Sequence, residues 1–142
     1  MKENQCPIQE IRDFGAEPIA VSIEKITKQN QTYRTALWTG NKLQVTVMCI
    51  PAGKEIGLEI HPQTEQFIRV ESGCGIAVMG KCKDELKLRF RISDGYAVLI
   101  PAGTWHNIIN TGNAPLKLYS IYAPVQHPFG TVQETKNSAE RE

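Results

Sequence analysis

No single pattern persists for long in this chain. Short apolar runs recur every eight to twelve residues, and Gly, Pro, Asn and Asp stand between them: TGN at 39–41, PAGK at 51–54, ESGCG at 71–75, SDG at 93–95, PAG at 101–103 and TGNAP at 111–115. That punctuation leaves no room for long helices and suits many short strands joined by tight turns. The spacing predicts strands near 18–24, 32–38, 43–50, 56–60, 65–71, 75–80, 85–92, 96–100, 105–110 and 116–122. In ELKLRFRI, Leu86, Leu88, Phe90 and Ile92 alternate with Lys87, Arg89 and Arg91, so an apolar face is expected inside and the three cations in solvent. Evenly spaced short strands imply an all-β fold, an antiparallel sandwich or barrel.

Composition narrows the setting. A chain of 142 residues fits one domain, and 16 Lys and Arg against 15 Asp and Glu give a net charge of +1. That balance speaks against nucleic acid or an anionic membrane as partner, since either would select clustered positive charge. No run approaches the roughly 18 apolar residues of a spanning helix. The opening MKENQCPIQEIRDFG has neither an apolar core nor a small-residue cleavage pattern, so a cytoplasmic protein is expected. The expected organisation is an N-terminal extension over 1–30, a barrel domain over 31–125 and a polar tail over 126–142, the last ending TVQETKNSAERE as a short exposed helix or a frayed end. None of Cys6, Cys49, Cys74 and Cys82 forms a C-x-x-C pair, and free thiols are expected, although Cys74 and Cys82 could meet across a hairpin.

Three histidines are present, and two stand beside Gly/Pro-rich turns. The first region reads Gly53, five residues, Glu59, one residue, His61, four residues, Gln66, six residues, Gly73. Glu59 and His61 are two apart, so on a strand they leave the same face. The second region reads Gly95, five residues, Pro101, one residue, Gly103, two residues, His106, three residues, Asn110.

These stretches resemble the paired motifs of the cupin superfamily, G-x5-H-x-H-x4-E-x6-G and G-x5-P-x-G-x2-H-x3-N. The second motif matches throughout. The first keeps its second His as His61, but places Glu59 where the first His is usual and Gln66 where Glu is usual. The resemblance covers roughly Arg34 to Tyr122 and implies a double-stranded β-helix, or jelly-roll, barrel, often dimeric, with a metal near its centre. A homodimer is expected, with the apolar segment TYRTALW as its seat.

The implied ligands are Glu59, His61, Gln66 and His106: one carboxylate, one amide oxygen and two imidazoles, a set suited to one divalent Mn, Fe, Zn or Ni ion. The two departures from the motif move the negative charge from the fourth ligand to the first and leave the total unchanged. Glu65 would fit a variant with a shorter gap. Gln66 is preferred because only it keeps the six-residue gap to Gly73, and because alternation sends Glu65 to the opposite face.

Trp105 is expected at the mouth or in packing, Tyr33, Arg34 and Trp38 on an early strand over the mouth or at a partner, Arg69 outward in a salt bridge, and His127 in a loop. One of Tyr119 and Tyr122 faces the cavity. The expected function is a metal-dependent enzyme acting on a small oxygenated metabolite, a sugar or carbonyl compound, with the metal as Lewis acid. No catalytic residue beyond the ligands is assigned. The competing readings are a non-catalytic module that binds a small ligand and a structural barrel with a degenerate metal site, since fold does not decide reaction. The Gln, Glu and two-His set is also similar to that of phosphomannose isomerases, so a mannose-6-phosphate isomerase-like protein is implied, although no Lys and Arg cluster for a phosphate is evident.

Overall fold

Strand pairing in the computed structural model, which describes residues 10–140, follows the turn punctuation closely. The elements are α1 (Ile23–Gln29), β1 (Arg34–Thr39), β2 (Gln44–Ile50), β3 (Glu65–Ser72), β4 (Cys74–Gly80), β5 (Leu88–Ser93), β6 (Ala97–Ile100), β7 (Trp105–Asn110), β8 (Leu116–Ala123), β9 (Val132–Gln133) and α2 (Lys136–Glu140). Six strands form one sheet in the order β6-β3-β8-β2-β1-β9, and three form the other in the order β5-β4-β7. All pairings are antiparallel. The result is the expected all-β jelly roll.

The register sorts the barrel interior into two halves. Along β2, Gln44, Thr46, Met48 and Ile50 are completely buried, and they lie opposite Tyr122, Ser120, Leu118 and Leu116 of β8. Gln66, Ile68 and Val70 of β3 meet the same Tyr122, Ser120 and Leu118 from the other side. One end of the barrel is therefore filled by Met48, Ile50, Ile68, Val70, Ile108, Leu116 and Leu118, a contiguous apolar core. The other end carries Gln44, Thr46, Gln66, Ser120 and Tyr122. Period-two alternation continues from the apolar end to the polar end without interruption, so the rigid half holds the polar half in place.

The sheet's outer face has a second core. Ile26 of α1 packs with Leu37 and Val47, joined by Ile11, Phe14, Val21, Ile23 and Tyr119. Asp13, 8% exposed, fastens the N-terminal segment to this face. Its carboxylate accepts hydrogen bonds from the backbone N–H of Gly15, Thr39 and Gly130, each at 2.9 Å, and from the Thr39 hydroxyl at 2.5 Å.

Several expectations need correction. Residues 18–24 form no strand: the chain runs irregularly to Ser22 and then enters α1. The pattern Ile23, Ile26, Thr27 is helical, the last two are buried, and Lys28 reaches back to Glu24 at 3.1 Å. Residues 56–60 form no strand: the segment makes only two isolated bridges, Glu55 to Ile109 just before it and Glu59 to His106 within it, and Gly57 takes a left-handed φ of 105° between them. On β5 the apolar face is only partly covered. Ile92 is buried, but Leu88 and Phe90 are 53% and 47% exposed. The strand is a sheet edge, and the opposite sheet's edge β6 does not pair with it.

TYRTALW does not offer the free apolar surface expected of a dimer seat. Tyr33, Arg34, Thr35, Ala36 and Leu37 are all buried within the chain, and β9 pairs along β1. Cys74 and Cys82 are exposed free thiols, the first opening β4 and the second two residues past its far end, so no hairpin brings them together. Cys6 lies outside the described residues. Within the tail, β9 and α2 are both formed. Among the described residues no helix is long and apolar enough to cross a membrane.

Candidate metal centre

At the polar end of the barrel, two chain segments are locked together before any side chain is considered. Glu59 and His106 exchange backbone hydrogen bonds, Glu59 N–H to His106 O at 3.0 Å and His106 N–H to Glu59 O at 2.9 Å. Gly103, at a φ of 76°, donates its N–H to the His61 carbonyl at 2.9 Å. The PAG turn thus holds the first motif against the second. A further link comes from Gly57, whose N–H donates to the Asn107 Oδ1 at 2.8 Å. The motif's Asn110 acts away from this cluster. Its amide donates to the carbonyls of Ile50 and Ala114 and accepts from the Gly112 N–H, closing the turn before β8.

The side chains converge. Glu59 Oε1 lies 3.3 Å from His106 Nε2 and 3.5 Å from His61 Nε2. The imidazole centroids are 5.2 Å apart, and one ligand atom from each of the three residues falls within 4.8 Å of the others. The imidazoles are buried, whereas 30% of the Glu59 side chain is exposed, which places the site's contact with solvent at the carboxylate. Burial by itself opposes the charge on Glu59, but the His106 and His61 side chains, when protonated at Nε2, outweigh it and hold the carboxyl well below the usual carboxylate range.

The hydrogen bonding of His106 gives the arrangement its meaning. Its Nδ1 lies 2.9 Å from the Thr104 carbonyl, which can only accept, so Nδ1 carries the proton. In neutral imidazole the Nε2 lone pair then faces the Glu59 carboxylate, one acceptor against another. Gln66 is placed in the same way. Its Nε2 donates to the Ser120 hydroxyl at 3.2 Å, and its Oε1 is buried with no partner. The Nε2 atoms of His61 and His106 are likewise buried and without a hydrogen bond. Buried acceptors without donors are costly, and a divalent cation held by Glu59, His61 and His106 would satisfy the two imidazole nitrogens. The donor chemistry fits a metal.

The expected register of β3 agrees with these positions: Gln66 is buried at 5% exposure, whereas Glu65 is exposed. Arg69 lies outward and pairs with Glu71 at 3.1 Å. Tyr122 is the inward tyrosine, its ring 5.9 Å from that of His61, whereas Tyr119 packs near Phe67 on the outer face. Trp105 is half-buried beside Gly80, and Trp38 donates its indole N–H to the Glu17 carbonyl.

Two residues that the sequence placed in a loop and on an early strand, His127 and Arg34, face the barrel interior. His127 is a loop residue, but its ring stands 5.3 Å from Tyr122, and its Nε2 is buried with no partner. Gln44 pins it there, donating to the His127 carbonyl at 2.8 Å and accepting from its N–H at 2.9 Å. Burial, reinforced by the Arg34 cation, lowers the His127 pKa to about 4. Arg34 itself is 5% exposed and directly opposite Met48 in the ladder, hence on the interior face. A lone Arg two residues before Ala36 was the available signal, since period two puts both on one face.

The fold and site define a cupin, and family comparison agrees: the Cupin domain model matches residues 46–122, so the chain belongs to that family. It is 59% identical over 129 residues to the uncharacterized protein YrkC of Bacillus subtilis, covering 91% of this chain and 69% of that one. The uncharacterized protein L612 of Acanthamoeba polyphaga mimivirus is 41% identical over 113 residues, 79% of this chain and 69% of its own. Among solved structures, the crystal structure of BH2720 from Bacillus halodurans superposes with a TM-score of 0.92 at 57% identity, covering 93% of this chain and 100% of that chain.

Proposed function

We propose that this cupin is a metal-dependent enzyme in which Glu59, His61 and His106, with the Gln66 amide oxygen, hold one divalent ion that acts as a Lewis acid on a small oxygenated metabolite. The observation that carries the reading is the hydrogen bond between His106 Nδ1 and the Thr104 carbonyl, which in the neutral imidazole turns the Nε2 lone pair toward a carboxylate at 3.3 Å. The enzyme reading is favoured over a passive binding module because two titratable groups other than the ligands stand near His61: Tyr122 and, against it, His127. Mn, Fe, Zn and Ni all suit the donor set.

Finer assignments extend the same proposal. The Glu, Gln and two-His set supports an isomerase-like reading. Against a phosphorylated sugar stands the fact that Arg34 is the one Lys or Arg buried among the described residues. Assembly as a homodimer is also proposed, seated on exposed Leu88, Phe90 and Leu99 beside the unpaired edges β5 and β6, where two copies can pair edge to edge. The deciding experiment is elemental analysis of protein purified without added metal, followed by a screen of sugars and carbonyl compounds with the metal found. Substoichiometric metal in that preparation, with no uptake on titration, would overturn the reading.

A further inference from the structure

Arg34 is a buried cation with no ion-pair partner. Its Nη1 donates to the Gln133 Oε1 at 2.5 Å, and its guanidinium lies 5.1 Å from the Tyr33 ring centroid. Its Nε–H is buried without any acceptor, and among the described residues no carboxylate lies within the 4 Å of a salt bridge. An unpaired buried charge is expensive to keep, and a neutral side chain would serve packing better. Arg34 lies on the interior face of β1, opposite Met48, in the same barrel that holds the metal set. Tyr33, Tyr122 and His127 each feel both the Arg34 cation and the Glu59 anion. One buried positive group with an unsatisfied Nε–H therefore shares the barrel interior with a cluster of metal donors. The planar edge of a guanidinium matches two oxygens of a carboxylate, a fit that a compact ammonium does not provide.

We infer that Arg34 anchors the carboxylate of a small substrate, so that the site takes a short oxy- or oxo-carboxylate whose neighbouring oxygen lies at the Glu59, His61 and His106 cluster. The inference rests on the metal reading only for that second oxygen; the carboxylate anchor stands on Arg34 alone. Phosphate would serve the charge but demands more donors than one half-committed guanidinium offers.

The test is isothermal titration of the Zn-loaded and the metal-free protein with pyruvate, glycolate and malonate, with pyruvamide as the uncharged counterpart, and with inorganic phosphate. The expected result is carboxylate binding by the Zn-loaded protein that falls tenfold or more in Arg34→Met and in Arg34→Lys, with Zn uptake unchanged within a few-fold. Arg34→Lys keeps the buried charge, so it remains readable if Arg34→Met does not fold, and a purely structural need for the cation would leave its carboxylate affinity intact. Pyruvamide should bind weakly and equally to all three proteins. Equal carboxylate affinity in wild type and Arg34→Lys, no carboxylate binding by wild type, or a preference for phosphate would each overturn the inference. A protein that takes no Zn but binds carboxylate through Arg34 would instead sink the metal reading and leave the anchor standing.

Discussion

Glu59 and His106 are joined twice, through a reciprocal pair of backbone hydrogen bonds at 3.0 and 2.9 Å and through side chains that meet at 3.3 Å. The backbone pair makes the side-chain meeting unavoidable, because residues that exchange both bonds present their side chains to the same face. The carboxylate that replaces the motif's usual first histidine is thus held against the second motif independently of any metal.

Glu59 carries the only negative charge of the proposed ligand set, and a carboxylate at ligand distance contributes about 4 kcal/mol of attraction per unit charge at an intermediate dielectric. Glu59→Gln should therefore weaken divalent-metal binding by roughly a hundredfold or more, as read by competition against a metallochromic indicator. His61→Ala and His106→Ala should abolish tight binding.

Neighbouring residues on β3 should behave oppositely. Gln66→Ala should lower metal affinity by a smaller factor than Glu59→Gln does, whereas Glu65→Ala, on the exposed face, should leave it unchanged. Metal loss in Glu65→Ala with retention in Gln66→Ala would show that the strand register is shifted by one residue.

Asp13 should matter for stability without touching the site. Asp13→Ala removes four hydrogen bonds and leaves the donors of Gly15, Thr39 and Gly130 to find water. A loss of about 2–4 kcal/mol is expected from urea unfolding, given roughly 1–3 kcal/mol for a buried group left unpaired.

His127 should make the fold acid-sensitive. Its pKa falls from 6.5 to about 4 on folding, chiefly through burial, so the unfolded chain binds the proton first. Its effect is absent above pH 6.5, and stability should drop as pH falls through 6.5 toward 4. In His127→Gln that part of the decline should vanish, and the urea midpoints of the two proteins should differ in pH dependence only below about 6.5. Identical pH profiles would contradict a buried neutral imidazole.

The exposed apolar residues at β5 and β6 should decide assembly. Wild type is expected to sediment as a dimer at micromolar concentration, and Leu88→Glu with Leu99→Glu as a monomer of 15.9 kDa. A monomeric wild type would refute the proposed seat.

Much of this architecture was legible from local pattern. Turn residues marked the boundaries of β1 through β8, and the two spaced motifs pointed to Glu59, His61 and His106, which converge, because a Gly at a positive φ or a His two residues after a Glu constrains geometry over a few residues. Alternation around Gln66 also separated it correctly from Glu65. The helix at Ile23–Gln29 was less legible, since seven residues are too few to distinguish its period from that of a strand.

What only the tertiary structure decided concerns residues brought together from distant parts of the chain. Period two puts Arg34 and Tyr122 on some face of their strands, but the face becomes the interior only through the ladders that set Arg34 against Met48 and Tyr122 against Gln44. His127 sits on no regular element, so no periodicity could aim it; the Gln44 side chain, 83 residues earlier in sequence, holds its backbone in place. The coverage of Leu88 and Phe90 depends on whether β5 meets β6, a closure that neither strand encodes. Local sequence fixes backbone direction and side-chain alternation, whereas burial, tautomer and charge environment arise from neighbours that only the completed fold supplies.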